Sequence, residues 1–409
     1  MIFFISHKKI DKSSEFVELK GKGHPDTLAD ALAETLSINY SKYTLGKFGA
    51  ILHHNFDKVG LLGGSSFVSF GRGYLVNPIK VLINGRVSKK FANEIIPAQK
   101  LLTNWTKEFF RKRLPLIDVD ENLDIHLNLS TQSSPGKTYE KESKKSARLR
   151  WFEPKSLADL PELKRPFAND TSLGVGYAPF SKLENLLLKI ETILNSDNTK
   201  KKFPWMGADI KILGFRRDGG YFLTICIPQI ANYVKSMKDY RSNIEKARTE
   251  IKKVLQKSNV KNYELNINTR DNYQLRELYL TATGSSIESG DEGLAGRGNR
   301  VNGLISPMRP MSMEGSFGKN PVNHIGKVYY ITAFDIADKI YKKLKIPNEV
   351  FLASQSGRNL LDPWIVLVNI EKPTLPAEIK KIVKNHLKST SLISERILSG
   401  KLNDFFVHL

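Results

Sequence analysis

The stretch from Thr283 to Lys327 carries the residues in this chain that are best suited to chemistry. It reads TGSSIESGDEGLAGRGNRVNGLISPMRPMSMEGSFGKNPVNHIGK, and it sets cations beside carboxylates: Asp291, Glu292, Arg297, Arg300, Arg309, Glu314, Lys319 and Lys327. Glycine lets a backbone approach a ligand closely. Arginine and lysine bind phosphate oxygens, and carboxylates hold Mg²⁺ against those phosphates. The stretch therefore indicates a polyphosphate site.

A second candidate lies in the stretch GHPDTLADALAE, at the start of a predicted helix. Pro25 stands where a first helical turn accepts proline, and apolar residues recur at helical spacing from Leu28, so we expect a helix to about Tyr40. His24 and Asp26 then lie at its N-terminus, where free N–H groups favour anions. Taken by itself, the His-Pro-Asp sequence favours a helix cap over a site residue.

The remaining elements alternate in blocks of strands and helices, which is typical of an α+β protein. Ser181 and Glu184 form a capping-box pattern for a helix from Lys182 to about Leu194, and Asp218-Gly219 predicts a hairpin whose first strand carries Asp209 and Lys211 on one face. Other predicted strands are Phe16–Leu19, Ala50–His53, Leu61 and Leu62, Phe67–Phe70, Ile79–Ile83, Leu123–Leu129 and the stretches YELNINT, LYLTATG and DPWIVLVNIE. Other predicted helices are 90–115, Tyr233–Gln256, about Tyr329–Leu344 and a last one opening at Pro376.

Composition limits the class of protein and its partners. A chain of 409 residues is expected to hold about two to three domains. The formal net charge of +21 favours polyanionic partners, although lysines scattered over a solvated surface give the same charge. No apolar run reaches the ~20 residues that cross a bilayer. The single cysteine, Cys226, fits a reducing compartment, so we expect the cytoplasm, with the thiol as a buried apolar residue.

The segment from Ser130 to Arg165 is polar, basic and interrupted by prolines. Its SPGKT sequence is no Walker loop, because position 131 is Thr where that motif needs glycine. KKSARLRW combines cations with an aromatic ring and suits nucleic acid, although a solvated insertion explains it as well. The expected division is 1–129, a basic insertion at 130–165, a second α+β domain at 166–270 and a third at 271–409, with segments that interleave in space.

Taken in order, the motifs GHPDTLADALAE, FGAILHHNFDK, ANDTSLGVGYAP, GADIKILG and GRGNRVNGLISPMRPMSMEGSFGKNPVNHIGK resemble the archaeal-type S-adenosylmethionine synthetases. The resemblance implies three similar, interleaved α+β domains and a homodimer with active sites at the subunit interface. It implies methionine adenosyltransferase activity, in which the sulfur of L-methionine attacks C5′ of ATP and the leaving triphosphate is hydrolysed to phosphate and diphosphate. The implied cofactors are Mg²⁺ and K⁺.

The same resemblance assigns expected roles to residues. The expected catalytic residues, which meet the triphosphate, are His24, Lys211, Arg297 and Lys319. The expected metal ligands are Asp26 and Asp291. Expected at ATP are Asp170, Asp209, Asp291, Arg300, Lys327, Gln132 and Ser133. For Asp57, Lys58, Asn323 and His324, a salt-bridged turn or a helix cap explains the sequence equally well.

One region departs from the family pattern. After LDIHLNL the family carries a GQGSxDL-like motif, whereas this chain reads STQSSPGKTYEKES, so Gln132 and Ser133 align without the glycines. Three hypotheses stay open at this point: an S-adenosylmethionine synthetase, a divergent relative that uses another thioether or only hydrolyses triphosphate, and a non-enzymatic protein that binds nucleic acid or another partner.

Overall fold

The computed structural model describes residues 1–8, 13–132 and 151–402, with 18 strands. In chain order the strands are β1 (Ile2–His7), β2 (Ser14–Lys20), β3 (His54–Leu62), β4 (Ser65–Ser69), β5 (Arg72–Asn77), β6 (Ile79–Val87), β7 (Lys90–Phe91), β8 (Glu94–Ile95), β9 (Leu123–Ser130), β10 (Ser172–Ala178), β11 (Lys211–Arg217), β12 (Gly220–Cys226), β13 (Gln229–Ile230), β14 (Tyr263–Ile267), β15 (Leu280–Thr281), β16 (Glu292–Leu294), β17 (Asn348–Ser354) and β18 (Ile365–Ile370). The α-helices of the described residues are α1 (Pro25–Phe48), α2 (Ala98–Arg113), α3 (Lys182–Leu194), α4 (Asp197–Lys202), α5 (Met237–Lys257), α6 (Ile325–Leu344), α7 (Pro376–Lys388) and α8 (Ile393–Leu398).

Three four-stranded sheets with the same pairing pattern form the framework. Their strand orders are β1-β18-β17-β10, β14-β12-β11-β2 and β9-β6-β3-β16. In each order the first pair is parallel and the other two pairs are antiparallel. The fold is therefore α+β with three similar sheets, as the sequence predicted.

Each sheet buries one face beneath two helices. Helices α6 and α7 cover the first sheet, α3 and α5 the second, and α1 and α2 the third. Each helix pair shares a separate apolar core with its sheet. The first sheet joins β1 to strands more than 160 residues away, and β16 joins a third sheet that otherwise comes from residues 54–130. The domain limits given above stay a prediction.

Two local predictions are wrong, and neighbouring contacts explain why. Ala50–His53 is not a strand, because the Leu52 amide donates to Thr44 Oγ1 at 3.2 Å and so cannot bond to a neighbouring strand. The helix predicted at 90–115 begins only at Ala98, because Pro97 is its N-cap and residues 90–95 form the small pair β7–β8.

Helix α1 is longer than predicted, and it reaches Phe48. It ends at Gly49, whose φ of 75° is the left-handed conformation that glycine adopts readily, and the Gly49 amide donates to the Leu45 carbonyl. In the described part of the chain, no helix is long and apolar enough to span a membrane.

Candidate functional site

The sequence-predicted site residues divide mainly between two clefts. The first cleft has a volume of about 630 Å³ and is lined by His24, Asp209, Lys211 and Asp291 together with Tyr279, Ser286 and the turn 268–271. The second has a volume of about 950 Å³ and is lined by Asp170 and Lys319 together with Asp57, Lys58, Glu314 and His324. Within the described residues the two clefts have no lining residue in common.

His24 caps α1 and faces the first cleft. Its Nδ1 accepts the Asp26 amide at 3.1 Å, so the neutral ring carries its proton on Nε2. Burial lowers the pKa of His24, and the nearby Asp209 carboxylate opposes that shift. The ring is therefore an uncharged hydrogen-bond donor near neutral pH. The structure confirms His24 as the helix cap and also places it on the wall of the cleft, while its part in binding an anion stays a prediction.

Asp209 and Asp291 are linked through Ser286. The Ser286 hydroxyl oxygen lies 2.7 Å from Asp209 Oδ2 and 2.9 Å from Asp291 Oδ2, so its one proton can be donated to either carboxylate. Asp209 also accepts the Ser286 amide at 2.9 Å and the Tyr279 hydroxyl at 3.1 Å. Burial raises the pKa of Asp209, an effect that His24 and these hydrogen bonds oppose. Asp291 is exposed.

Lys211 and Arg270 place positive charge on the wall of the first cleft. The Lys211 side chain is 45% exposed and its ammonium lies 3.1 Å from Glu18 Oε1, so a ligand phosphate can compete for it. Lys211 pairs across the hairpin with Cys226, which also lines the cleft. The expectation that Cys226 is a buried apolar residue is therefore only partly met: it is half-buried, on the same face of the sheet as Lys211. Burial still raises the pKa of its thiol.

Lys319 is a buried cation in the wall of the second cleft. Its side chain is 5% exposed, contacts the Glu314 carboxylate and lies 3.9 Å from Asp57 Oδ2. Burial lowers the pKa of Lys319 to about 8, although Asp57 opposes this. Asp170 lies at the exposed rim, where its Oδ1 accepts the Thr171 amide at 2.7 Å.

For the remaining candidates, Asp57, Lys58, Asn323 and His324, the structure shows the local contacts of each side chain or backbone. Asp57 and Lys58 form the expected salt bridge, but within β3 and not in a turn. His324 caps α6 with its Nδ1 3.3 Å from the Gly326 amide, and it also lines the second cleft. Asn323 is buried, and its carbonyl accepts the Asn169 amide.

Four predicted site residues line neither cleft. Arg297, Arg300 and Lys327 belong to the glycine-rich stretch from Thr283 to Lys327, and Asp26 packs against it. Arg297 follows Gly296, a residue of the second cleft, and its side chain is 57% exposed. Arg300 is bound to loop carbonyls, those of Gly296 and Gly298. Asp26 and Lys327 lie deeper. Lys20 Nζ reaches Asp26 Oδ2 at 2.8 Å, while the fully buried Lys327 donates to both Glu34 oxygens at 2.7 Å.

The departing region is described only at its start. Gln132 is exposed just beyond β9, and its backbone amide donates to the hydroxyl of Ser130, which lines the second cleft. Ser133 lies outside the described residues, as does KKSARLRW up to Arg150.

Sequence reasoning missed two residues of the first cleft and the lysine that pairs with Asp26. Tyr279 and Ser286 hold Asp209, and Lys20 pairs with Asp26. Lys20 stands four residues before His24 in KGKGHPD, so its closeness to the His-Pro-Asp turn was a usable signal. Tyr279 gave no signal, because it is about 70 residues from Asp209 in the chain and only the fold joins them.

The described residues fit a magnesium ion held mainly by phosphate oxygens. Among them, no three His, Cys, Asp or Glu side chains converge as they do in a protein-only metal site. Mg²⁺ is usually bound through one or two carboxylates, waters and substrate phosphates. Both carboxylates already accept hydrogen bonds, Asp291 from the Ser286 hydroxyl and the Glu292 amide, and Asp26 from Lys20 and the Leu294 amide. Asp291 suits this use better because it is exposed, whereas Asp26 is buried.

Comparison with known proteins gives a consistent result. The family model described as S-adenosylmethionine synthetase (AdoMet synthetase) matches residues 4–150 and 153–401. The S-adenosylmethionine synthase of Methanocaldococcus jannaschii is 38% identical over 97% of this chain and 96% of its own length. That of Aeropyrum pernix is 38% identical over 96% and 95%, and the probable synthase of Aquifex aeolicus is 37% identical over 92% of both chains.

A solved structure agrees on the fold. It is titled as an unusual S-adenosylmethionine synthetase from Campylobacter jejuni, and it superposes with a TM-score of 0.58 at 15% identity, over 94% of this chain and 88% of that chain. At this identity the likeness concerns the fold alone. Since the family model spans nearly the whole chain and relatives share more than a third of its residues, the chain belongs to the S-adenosylmethionine synthetase family.

Proposed function

We propose that this chain is a methionine adenosyltransferase that forms S-adenosylmethionine, phosphate and diphosphate from ATP, L-methionine and water. The observation that carries the proposal is the coincidence of two independent findings. The family match runs through the whole chain, and its phosphate-side residues His24, Lys211 and Asp291 line one cleft while Lys319 lines another. The matches favour neither the divergent relative nor the nucleic-acid-binding protein.

The chemistry requires charge stabilisation more than proton transfer. A thioether sulfur has no proton to lose, so its attack on C5′ needs no general base. The barrier lies in the negative charge that develops on the departing triphosphate, which preorganised donors and cations stabilise best. The neutral His24 ring supplies an uncharged N–H donor, and Lys211, Arg297 and Lys319 supply positive charge to the phosphates.

Mg²⁺ and K⁺ are part of the proposal. When bound, Mg²⁺ would supply positive charge at the leaving group. Asp291 is the carboxylate we assign to it. Asp26, now paired with Lys20 at 2.8 Å, would be a second carboxylate for the ion. We assign Asp209 and Asp170 to the adenosine side of the nucleotide. A cytoplasmic location belongs to the same proposal and is supported by the single cysteine.

We further propose that the chain acts as a homodimer in which the first cleft of one subunit and the second cleft of its partner complete one site. Two observations support this. The clefts of one chain share no described lining residue. The first cleft also opens on an exposed apolar face of the second sheet, where Phe16, Leu213 and Phe222 are each nearly half exposed, and such patches mark interfaces.

Product analysis tests the proposed reaction. The purified chain is incubated with ATP, L-methionine, Mg²⁺ and K⁺, and S-adenosylmethionine and phosphate are followed by chromatography. We expect both products from the wild type and neither from Lys319→Ala. Phosphate release without S-adenosylmethionine would contradict the proposal and favour another acceptor or simple triphosphate hydrolysis. Absence of both products would contradict an enzymatic role.

A further inference from the structure

Three carboxylates follow one face of α1, each one turn after the last. A spacing of four residues places side chains above one another on a helix. All three are buried, at 3%, 3% and 0% exposure for Asp26, Asp30 and Glu34. Each accepts a backbone amide from the glycine-rich stretch: Leu294 to Asp26 Oδ1 at 3.0 Å, Gly296 to Asp30 Oδ1 at 2.7 Å, and Gly318 to Glu34 Oε2 at 2.9 Å.

Two of these amides occupy matching positions. Gly296 directly precedes Arg297, and Gly318 directly precedes Lys319. Both glycines have positive φ, 93° and 77°, a conformation that side-chain-bearing residues rarely adopt. Each cation therefore directly follows a left-handed glycine, and the amide of that glycine donates to a carboxylate of α1. The direction of each cation therefore depends on a helix residue that does not itself face the ligand.

We propose that Asp30 and Glu34 are positioning residues for the reaction, which hold Gly296 and Gly318 and so direct Arg297 and Lys319 towards the triphosphate. The inference rests on the proposed function. It extends that function to two residues that motif comparison did not assign, and it assigns Lys327 an indirect part. Because Lys327 donates to both Glu34 oxygens, it neutralises the carboxylate that holds Gly318 and does not itself meet phosphate.

The surroundings of Asp30 support a specific role over simple packing. Burial raises the pKa of Asp30 to about 7, against the Gly296 hydrogen bond that stabilises the carboxylate. The Gly298 backbone also stabilises this carboxylate against its burial. A Cβ placed on Gly298 would lie 2.2 Å from Asp30 Oδ2, so the backbone on the far side of Arg297 also packs on this carboxyl.

A double-mutant cycle in the full-length protein tests the inference, with inorganic tripolyphosphate and Mg²⁺ as the probe in calorimetry. Loss of a hydrogen bond to a charged group is worth about 10-fold to 100-fold in a dissociation constant. We expect Asp30→Ala to weaken binding by about that factor, and Arg297→Ala to have little further effect in the Asp30→Ala background, because the cation is already misdirected. Asp30→Asn should retain most binding, since its amide oxygen still accepts the Gly296 N–H.

The same cycle separates positioning from a general structural role. If Asp30 only stabilises the fold, the effects of Asp30→Ala and Arg297→Ala multiply, and the inference is overturned. Glu34→Ala, made in a Lys327→Met background so that no buried charge is left unpaired, forms the matched second cycle with Lys319→Ala, and its combination with Arg297→Ala is the crossed control, for which we expect multiplication.

Gly298→Ala repeats the test from the loop side if Asp30→Ala does not fold. Its Cβ crowds Asp30 Oδ2, so it should weaken binding and abolish most of the effect of Arg297→Ala. Tight binding by this variant would overturn the inference. A wild type that makes S-adenosylmethionine and shows multiplying effects refutes the positioning role alone, whereas a wild type that neither binds tripolyphosphate nor forms product refutes the proposed function as well.

Discussion

Replacing Lys327 by methionine should destabilise the protein, because it leaves the buried Glu34 carboxylate without its counter-charge. Lys327 and Glu34 are both fully buried, and the ammonium lies 2.7 Å from each carboxylate oxygen. Removing one partner of such a pair leaves an uncompensated charge, which costs about 3–5 kcal/mol. The free energy of unfolding of Lys327→Met should therefore fall by about that amount.

The double variant Glu34→Gln, Lys327→Met gives the matched control. It leaves two neutral side chains of similar volume, and neutral replacements of buried pairs cost little, so we expect it to recover most of the loss, to within about 1–2 kcal/mol of the wild type. Urea unfolding followed by tryptophan fluorescence measures both variants. The protein concentration must be held constant, because subunit association shifts the apparent stability.

One result would refute this reasoning. If the free energy of unfolding of Lys327→Met lies within about 1 kcal/mol of the wild-type value, the variant does not leave Glu34 as an uncompensated buried charge, and the reasoning is wrong. Loss of tripolyphosphate binding in that stable variant would then make Lys327 a direct phosphate ligand, as motif comparison alone suggested.

Three further predictions concern the clefts and the packing of the first sheet. His24→Asn keeps a helix-capping acceptor but loses the imidazole, so product formation should fall by about 100-fold while the unfolding midpoint stays near that of the wild type; activity within a few-fold would contradict the role. Because the pKa of Lys319 is near 8, its ammonium loses its charge as the pH rises through 8. The affinity for tripolyphosphate should therefore fall about tenfold from pH 7 to pH 9 in the wild type but not in Lys319→Arg. A wild-type affinity that calorimetry finds independent of pH would contradict this. Gly174→Ala should lower the free energy of unfolding by about 1–3 kcal/mol, because its Cβ would lie 2.2 Å from the Tyr329 carbonyl carbon, whereas Gly46→Ala, in open space on α1, should raise it by about 0.5–1 kcal/mol; equal urea midpoints would refute the packing argument.

Local signals allowed a good prediction of individual elements. The capping box of α3 is present as predicted, with Ser181 Oγ accepting the Glu184 amide and Glu184 accepting the Ser181 amide. The β11–β12 hairpin turns at Asp218-Gly219 as predicted. Both depend on residues within a few positions of one another, and backbone preferences at that range are visible in a sequence.

Contacts between distant segments could not be predicted in the same way. The sequence shows that Asp30 and Glu34 are one helical turn apart, but their partners Gly296 and Gly318 lie 266 and 284 residues further along the chain. Spacing shows that two residues share a helix face and does not show what packs against that face. For the same reason the division of the phosphate-side residues between two clefts became visible only in the structure.

The most direct measurement asks whether the two clefts serve one reaction across a dimer. His24→Ala and Lys319→Ala chains with different affinity tags are co-expressed, and the mixed dimer is isolated by two successive affinity steps. Each variant alone should be inactive. If the first cleft of one subunit works with the second cleft of its partner, the mixed dimer holds one intact site and should form S-adenosylmethionine at about half the wild-type rate. An inactive mixed dimer would contradict the shared site and place both clefts' chemistry within a single chain.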